Sequence, residues 1–258
     1  MRRTMFQKMT PNRMAWGAIL ALAAVFGFRD VTLAQSTIFN VPTTDAVAKG
    51  KVYFEFDYLA QIPKFDDLPD GSATPRLHLF VPRGVVGLGA NVEAGANVSV
   101  VHVGDSNSVF FQPNIKWRFL NTDGGVAASV GGILYTPINN REGVDTYGLV
   151  YGNLSKKINH TYGPRFHVGP YGIVGSNSSF TGPKAGAIAG YEQPVLPRLS
   201  IVADWISGKN AFGYFTPGIS LSLPGNGVFN AGYSIGNDSY DGNSTHNRLL
   251  FLYYGITF

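Results

Sequence analysis

The feature that most constrains this chain is the regular alternation of apolar and polar side chains along short segments. In residues 111–119, FQPNIKWRF, large apolar residues occupy every second position, with Lys116 and Arg118 among the residues between them. Successive side chains of an extended chain point to opposite faces, so this segment predicts a strand with one apolar and one charged face. The same pattern recurs in residues 52–58, 92–100, 165–174, 199–205, 215–222 and 229–235.

Five further segments bring the predicted number of strands to about twelve. Four of them are rich in Gly and Ala, at residues 76–88, 126–136, 146–155 and 184–192, and residues 248–258 form a last alternating run. Polar connections at 61–74, 104–108, 138–145, 176–182, 208–211 and 237–247 alternate with tighter turns such as 89–91, 121–124 and 224–227. This alternation predicts an antiparallel sheet with longer loops at one end and short turns at the other.

The first 34 residues have the order of a secretory signal peptide. Arg2, Arg3, Lys8 and Arg13 precede the uncharged run 15–28, and Thr32-Leu33-Ala34 follows, which predicts cleavage after Ala34. The run is shorter than the roughly 18 apolar residues of a membrane anchor. We therefore divide the chain into a signal peptide (1–34), a short periplasmic segment (35–48) and a β-barrel (49–258).

Charge and cysteine content exclude several classes of protein. Residues 1–34 contain five basic residues and one acidic residue, so the net charge of +4 belongs to the signal peptide. The remainder has no basic excess, which argues against nucleic acid as a partner. The absence of cysteine excludes disulfides, thiolate metal sites and a lipoprotein anchor. Charged residues make up 14% of the chain, where about 25% is usual for soluble domains.

Strands with one apolar and one polar face occur both in soluble β-folds and in membrane-spanning β-barrels. A soluble β-sandwich or lipocalin-like barrel would turn the apolar faces inward. A membrane barrel turns them outward, and it must be closed because every backbone polar group in hydrocarbon needs a partner. The signal peptide and the aromatic content favour the second. The prediction is an all-β fold, a closed antiparallel transmembrane β-barrel of about twelve strands.

The C-terminal run RLLFLYYGITF resembles the last strand of Gram-negative outer-membrane β-barrel proteins, which typically ends on Phe. The matching alternate positions are Leu250, Leu252, Tyr254, Ile256 and Phe258. The resemblance implies that Tyr254, Ile256 and Phe258 form a signal read by the barrel-assembly machinery. It also implies that the protein resides among the lipids of the outer membrane after export.

Polar residues opposite the apolar faces are predicted to face the lumen of the barrel. Lys116 and Arg118 lie two apart and project the same way, and the mixture of cations and anions predicts no strong ion selectivity. The luminal set consists of Glu55, Asp57, Glu93, Gln112, Asn114, Lys116, Arg118, Arg165, His167 and Asp204. These residues either line an open pore or pair with one another and fill the interior.

Three functions follow from these alternatives. The first is a passive channel for small polar solutes. The second is a structural or surface-binding barrel with a plugged lumen, whose loops 61–74 and 237–247 contact a partner. The third, an outer-membrane lipid hydrolase, rests on VVHVGDSNS (100–108), which resembles the first motif of Gly-Asp-Ser esterases with Ser106 as the nucleophile.

The remaining motifs of the hydrolase are missing from the sequence. No Asp-x-x-His pair follows, so we assign no catalytic residue, and a polar turn explains residues 104–108. The five histidines show no spacing typical of metal ligands. We expect no metal and no cofactor.

Overall fold

The computed structural model describes residues 36–61, 76–139, 145–175, 182–237 and 248–258. Twelve antiparallel strands in these ranges close into one barrel, as predicted. The strands are β1 (Val52–Gln61), β2 (Leu77–Gly89), β3 (Val92–Val103), β4 (Ser106–Asn121), β5 (Val126–Pro137), β6 (Tyr147–Lys157), β7 (Arg165–Val174), β8 (Ala185–Leu196), β9 (Leu199–Ile206), β10 (Tyr214–Leu223), β11 (Gly227–Gly236) and β12 (Arg248–Thr257).

The last strand closes the barrel against the first. Tyr53 is paired with Thr257 and Leu59 with Phe251 in antiparallel register. The amide of Phe258 donates to the carbonyl of Val52 at 2.9 Å. We call the end where β1 begins and β12 finishes the terminal end, and the opposite end the loop end.

Apolar side chains cover the outside of the barrel. Ile115, Phe166 and Ile201 are 55%, 48% and 50% exposed. Lys116, which follows Ile115, and Asp204, on the same strand as Ile201, are each 2% exposed. A soluble barrel would show the reverse distribution, because water would face its polar side. In the part of the chain that the structure describes, no helix is both long enough and apolar enough to span a membrane.

Short turns connect strands at the terminal end. Ala90 and Asn91, between β2 and β3, have φ of 49° and 59°, the left-handed pair of a type I′ hairpin turn. At the loop end, the polar connection predicted at 104–108 is shorter than expected, since β3 ends at Val103 and β4 begins at Ser106. The predicted loop 61–74 and most of 237–247 lie outside the described residues, as does the predicted signal peptide.

The segment before β1 differs from its prediction. Residues 35–48 were expected to extend into the periplasm, but residues 36–47 lie inside the barrel, where all except Asn40 and Asp45 are buried. The physical reason is hydrogen bonding, because the wall offers charged and amide side chains to the main chain of this segment. We call residues 36–47 the luminal hairpin.

Candidate functional site

The luminal hairpin is a tight turn closed by its own backbone. The amide of Ile38 donates to the carbonyl of Val41, and that of Thr43 to the carbonyl of Ser36, each at 3.0 Å. Thr37 and Pro42 face each other as an antiparallel bridge. Phe39 and Asn40 therefore form the tip, which points away from the terminal end.

Asp204 on β9 holds the tip. Its Oδ2 accepts hydrogen bonds from the successive amides of Phe39, Asn40 and Val41 at 3.1, 2.6 and 2.7 Å. Consecutive amides that converge in this way form an anion-binding concavity. Hydrogen bonds to an ionised acceptor are about twice as strong as neutral ones, so Asp204 is the strongest anchor of the tip.

Side chains from other strands bind the carbonyl groups of the hairpin. Asn230 Nδ2 donates to the carbonyl of Ile38 at 2.9 Å, and the Tyr253 hydroxyl donates to that of Thr37 at 3.2 Å. Asn153 Nδ2 donates to the carbonyl of Pro42. The wall thus recognises the main chain of the hairpin from several directions.

A buried ion pair lies beside the base of the hairpin. Lys116 Nζ is 2.9 Å from Glu93 Oε1, and both side chains are 3% exposed. Glu93 also accepts from the amide of Val47 at 2.7 Å and from the Ser36 hydroxyl at 2.9 Å. Lys116 donates to the carbonyl of Ser36 at 3.3 Å. The pair therefore connects β3, β4 and both ends of the hairpin.

Arg165 on β7 donates two hydrogen bonds to the carboxylate of Asp45. Its Nη1 and Nη2 lie 2.6 and 3.0 Å from the two carboxylate oxygens. Burial raises the pKa of Asp45, but Arg165, assisted by Lys116, outweighs burial and leaves that pKa below its ordinary value of 3.8. The stabilisation is complete above pH 3.8 and is lost as the pH falls through the lowered pKa.

A second polar network lies beside the hairpin on β1 to β4. Arg83 Nη1 is 3.0 Å from Glu55 Oε1, and Arg83 Nε donates to Asn97 Oδ1 at 3.0 Å. Asn97 in turn donates to Gln112 Oε1 at 3.3 Å and accepts from Asn114 at 3.1 Å. Arg83 also reaches the hydroxyl of Thr37 at 3.3 Å. This network links the wall to the hairpin.

Most of the predicted luminal set is paired with the hairpin or with neighbouring wall groups, while Asp57 and Gln112 also line a cavity at the loop end. Glu93, Lys116, Arg165 and Asp204 bond to the hairpin. Arg118 lies between the hairpin and the rim, 3.9 Å from Asp45 of the hairpin and 3.2 Å from Asn91 Oδ1 at the rim. The others contact wall groups: Glu55 and Asp57 are buried near Arg83, Gln112 and Asn114 bond to Asn97, and His167 Nε2 is 2.6 Å from Glu192.

The luminal set predicted from the sequence lacks several residues of this site, among them Arg83, Asn97, Asn153, Asn230 and Tyr253. Asn153 and Arg83 lie in strands whose two faces are both apolar or Gly-rich, so no polar face could be assigned. Asn230 and Tyr253 alternate with the apolar or outward positions of the runs 229–235 and 248–258, but they were not included in the luminal set. Arg83 was the most recoverable, because it is the only charged residue within β2.

A chamber of about 570 Å³ lies beyond the hairpin tip. Phe39 and Asn40 form part of its floor, and its other lining residues come mainly from the loop-end halves of the strands. Apolar and aromatic side chains make up most of its wall, including Leu59, Leu79, Ile133, Tyr135, Leu149 and Phe212. Polar lining residues also contribute, among them Asp57, Arg83, Asn97, Gln112 and Lys209. Tyr135 stacks on Tyr147 with ring centroids 4.9 Å apart. The sequence did not predict this apolar lumen.

The described residues contain few other side chains that could act in catalysis or hold a metal. Ser106 starts β4 at the β3–β4 turn, paired with Val103, and the nearby His102 Nδ1 is 2.7 Å from Asn107 Oδ1. The described residues contain no group of three or more His, Cys, Asp or Glu that could hold a metal ion. The hairpin and the chamber are therefore the features on which a function can be argued.

Comparison with known proteins identifies the fold. No family model matches the chain, and no curated protein matches it. A solved structure, an outer membrane channel from Pseudomonas putida F1, is similar with a TM-score of 0.53 at 12% sequence identity. The likeness covers 83% of this chain and 97% of that one. The chain thus has the closed-barrel fold found in an outer membrane channel.

Proposed function

We propose that this protein is an outer-membrane channel whose chamber accepts small, largely apolar molecules. The observation that carries the proposal is the apolar lining of the 570 Å³ chamber, whose size suits a small organic ligand. The polar solutes expected from the luminal set receive less support, because most of its charged members are bonded to the hairpin or to neighbouring wall groups, and of the set only Asp57 and Gln112 line the chamber.

Location in the outer membrane rests on the outer surface of the barrel. Large apolar residues such as Trp117 (50% exposed) and Phe119 (51% exposed) face outward, where hydrocarbon would cover them. A lysine or arginine facing lipid at mid-membrane costs about 2–4 kcal/mol, and Lys116 on the same strand points inward instead. The signal peptide predicted at 1–34 supplies the export route.

Deletion of Phe258 is expected to reduce assembly in the outer membrane severalfold. The residue is 64% exposed, so its side chain contributes little packing to the folded barrel and remains accessible to the assembly machinery. The heat-modifiable folded fraction in isolated outer membranes measures the effect. Phe258→Trp, which keeps an aromatic terminus, is the control, and normal assembly of the deletion would contradict the assigned signal.

Binding of 4-fluorotoluene to amphipol-held protein tests the chamber, with ¹⁹F NMR as the readout. Leu79→Trp places a bulky side chain inside the chamber and is expected to weaken binding at least about tenfold, a loss of roughly 1.4 kcal/mol. Phe80→Trp is the matched control, because residue 80 faces outward at 36% exposure. It should leave binding unchanged.

Two other outcomes would overturn the proposal. Equal binding by both variants would show that the probe does not occupy the chamber. Rapid entry of arabinose into proteoliposomes, together with that result, would favour a channel for polar solutes. Absence of both binding and entry would favour the plugged structural barrel.

A further inference from the structure

The barrel wall has two recesses shaped for the hairpin. Gly232 on β11 points inward, and a Cβ there would lie 2.5 Å from Cζ of Phe39, with two more atoms of the same ring as its next neighbours. A Cβ on Gly190 of β8 would lie 2.5 Å from Cδ1 of Ile38. Real Cβ contacts are never so short, so both glycines leave space that hairpin side chains fill.

The wall otherwise recognises the hairpin mainly through its backbone. Asp204 binds three amides, Glu93 binds a fourth, and Asn153, Asn230, Tyr253 and Lys116 bind carbonyl groups. Main-chain recognition combined with pockets for alternate side chains is how proteins bind extended peptide ligands. The hairpin is thus bound as a peptide ligand is bound.

The wall groups would keep partners if the hairpin left. Glu93 and Lys116 pair directly with each other, and Arg165 has Glu192 at 3.8 Å as a second partner. Water entering from the terminal end would solvate Asp204. Departure of the hairpin therefore leaves a polar passage rather than unpaired charges in a dry interior.

The connection between hairpin and β1 permits such a movement. Residues 48–51 are exposed, and Gly50 has φ of 76° with open space around the position of a Cβ. The amide of Gly50 donates to the carbonyl of Gly87 at 2.9 Å, and the amide of Gly87 donates to the carbonyl of Lys51 at 3.0 Å. These rim bonds hold the linker against β2, so movement of the hairpin would require rotation at the residues that precede them.

We propose that the inner wall is a peptide-binding site whose ligand is the luminal hairpin, and that the hairpin leaves this site as a unit to open the terminal end of the barrel. The proposal rests on the proposed channel function. Asp204 is the residue that determines the fraction of time for which the hairpin occupies this site. Departure of the hairpin connects the chamber to the terminal end, because Phe39 and Asn40 of the hairpin form part of the chamber floor.

Thiol labelling of the full chain in lipid vesicles tests the movement without relying on transport. The sequence has no cysteine, and Thr44 is 0% exposed, so Thr44→Cys reacts with a charged maleimide only when the hairpin is displaced. Adding Asp204→Asn removes the charge that binds three amides, and labelling should accelerate about 10- to 100-fold. Asp105→Asn, at an exposed turn, is the control and should have no effect. Equal labelling rates in all three proteins would overturn the proposal.

A reducible disulfide between the hairpin and the barrel wall provides a second test within a single folded protein. Thr44 Oγ1 and Ser155 Oγ are 2.6 Å apart, so cysteines at both positions are placed to form a disulfide. The oxidised protein should show no channel openings in planar bilayers and no transfer of 4-fluorotoluene, and reductant should restore both. Unchanged activity of the oxidised form would overturn the movement. Failure of 4-fluorotoluene binding in both redox states would instead overturn the proposed function, while the labelling result still decides the movement.

Discussion

Replacement of Lys116 by methionine is expected to lower the free energy of unfolding of the barrel by about 3–5 kcal/mol. The substitution preserves length and apolar volume but removes the cation 2.9 Å from Glu93, whose side chain is only 3% exposed. Glu93 would then be a buried carboxylate without the cation that is bonded to it directly, and Arg83 would be the remaining positive charge in its surroundings. The hairpin would also lose the hydrogen bond from Lys116 to the carbonyl of Ser36.

Urea unfolding of the refolded protein in lipid vesicles, followed by tryptophan fluorescence, measures this loss. Arg118→Met is the matched control, because it lies on the same strand but is 21% exposed and 3.9 Å from Asp45. Its effect should remain below about 1 kcal/mol. Adding Glu93→Gln to Lys116→Met should recover part of the stability, since the unpaired charge is then gone. Equal losses for the two methionine variants would contradict the buried pair.

The outer surface and the closing strand were predictable because they depend on local alternation. Phe166 and Val168 follow it on β7, and Tyr254 and Phe258 follow it at the C-terminus, and these residues are exposed on the barrel. The same rule placed Asp204 on the inward face. It applies to any strand whose two faces differ in polarity, because the period of two is a property of the strand itself.

The chamber was not predictable by the same rule. β2 carries Leu79 and Val81 inward and Phe80 and Pro82 outward, so its two faces are alike in hydrophobicity and alternation gives no orientation. Alternation did not predict the inward direction of Arg83 for the same reason. The single charge within β2 was the one sequence signal for an inward Arg83, and the register with β1, where Glu55 is opposite Arg83, establishes the direction of these side chains.

The hairpin was missed because its position depends on contacts distant in sequence. Phe39 is 165 residues from Asp204, the side chain that holds it. Residues 36–47 have no alternation, and Ser, Thr, Asn and Pro are common in exposed linkers. The inward positions 190, 218 and 232, which lie against the hairpin, are all glycine, but Gly186 on β8 and Gly236 on β11 also occupy inward positions, so glycine alone did not mark the site of the hairpin.

Gly232→Leu is expected to displace the hairpin from its site while leaving the barrel wall intact. The three atoms nearest to a Cβ at this position all belong to the ring of Phe39, at 2.5, 2.8 and 3.0 Å, so the added side chain displaces the hairpin rather than a strand. Overpacking of a filled site costs about 1–3 kcal/mol, which corresponds to a roughly 5- to 150-fold rise in the displaced fraction. Hydrogen exchange of the peptide containing the Phe39–Val41 amides, measured by mass spectrometry, should accelerate by this factor.

A second substitution separates this effect from general damage to the sheet. Gly232→Leu combined with Phe39→Ala should recover much of the protection, because the smaller side chain vacates the recess. Gly172→Leu is the control: a Cβ there meets Val150 Cγ2 at an ordinary 3.7 Å on the outer face, and hairpin exchange should not change. If Phe39→Ala fails to restore protection, the glycine serves the strand rather than the hairpin. Recovery would mean instead that the absence of a side chain at position 232 is what allows the barrel to hold its own N-terminal segment.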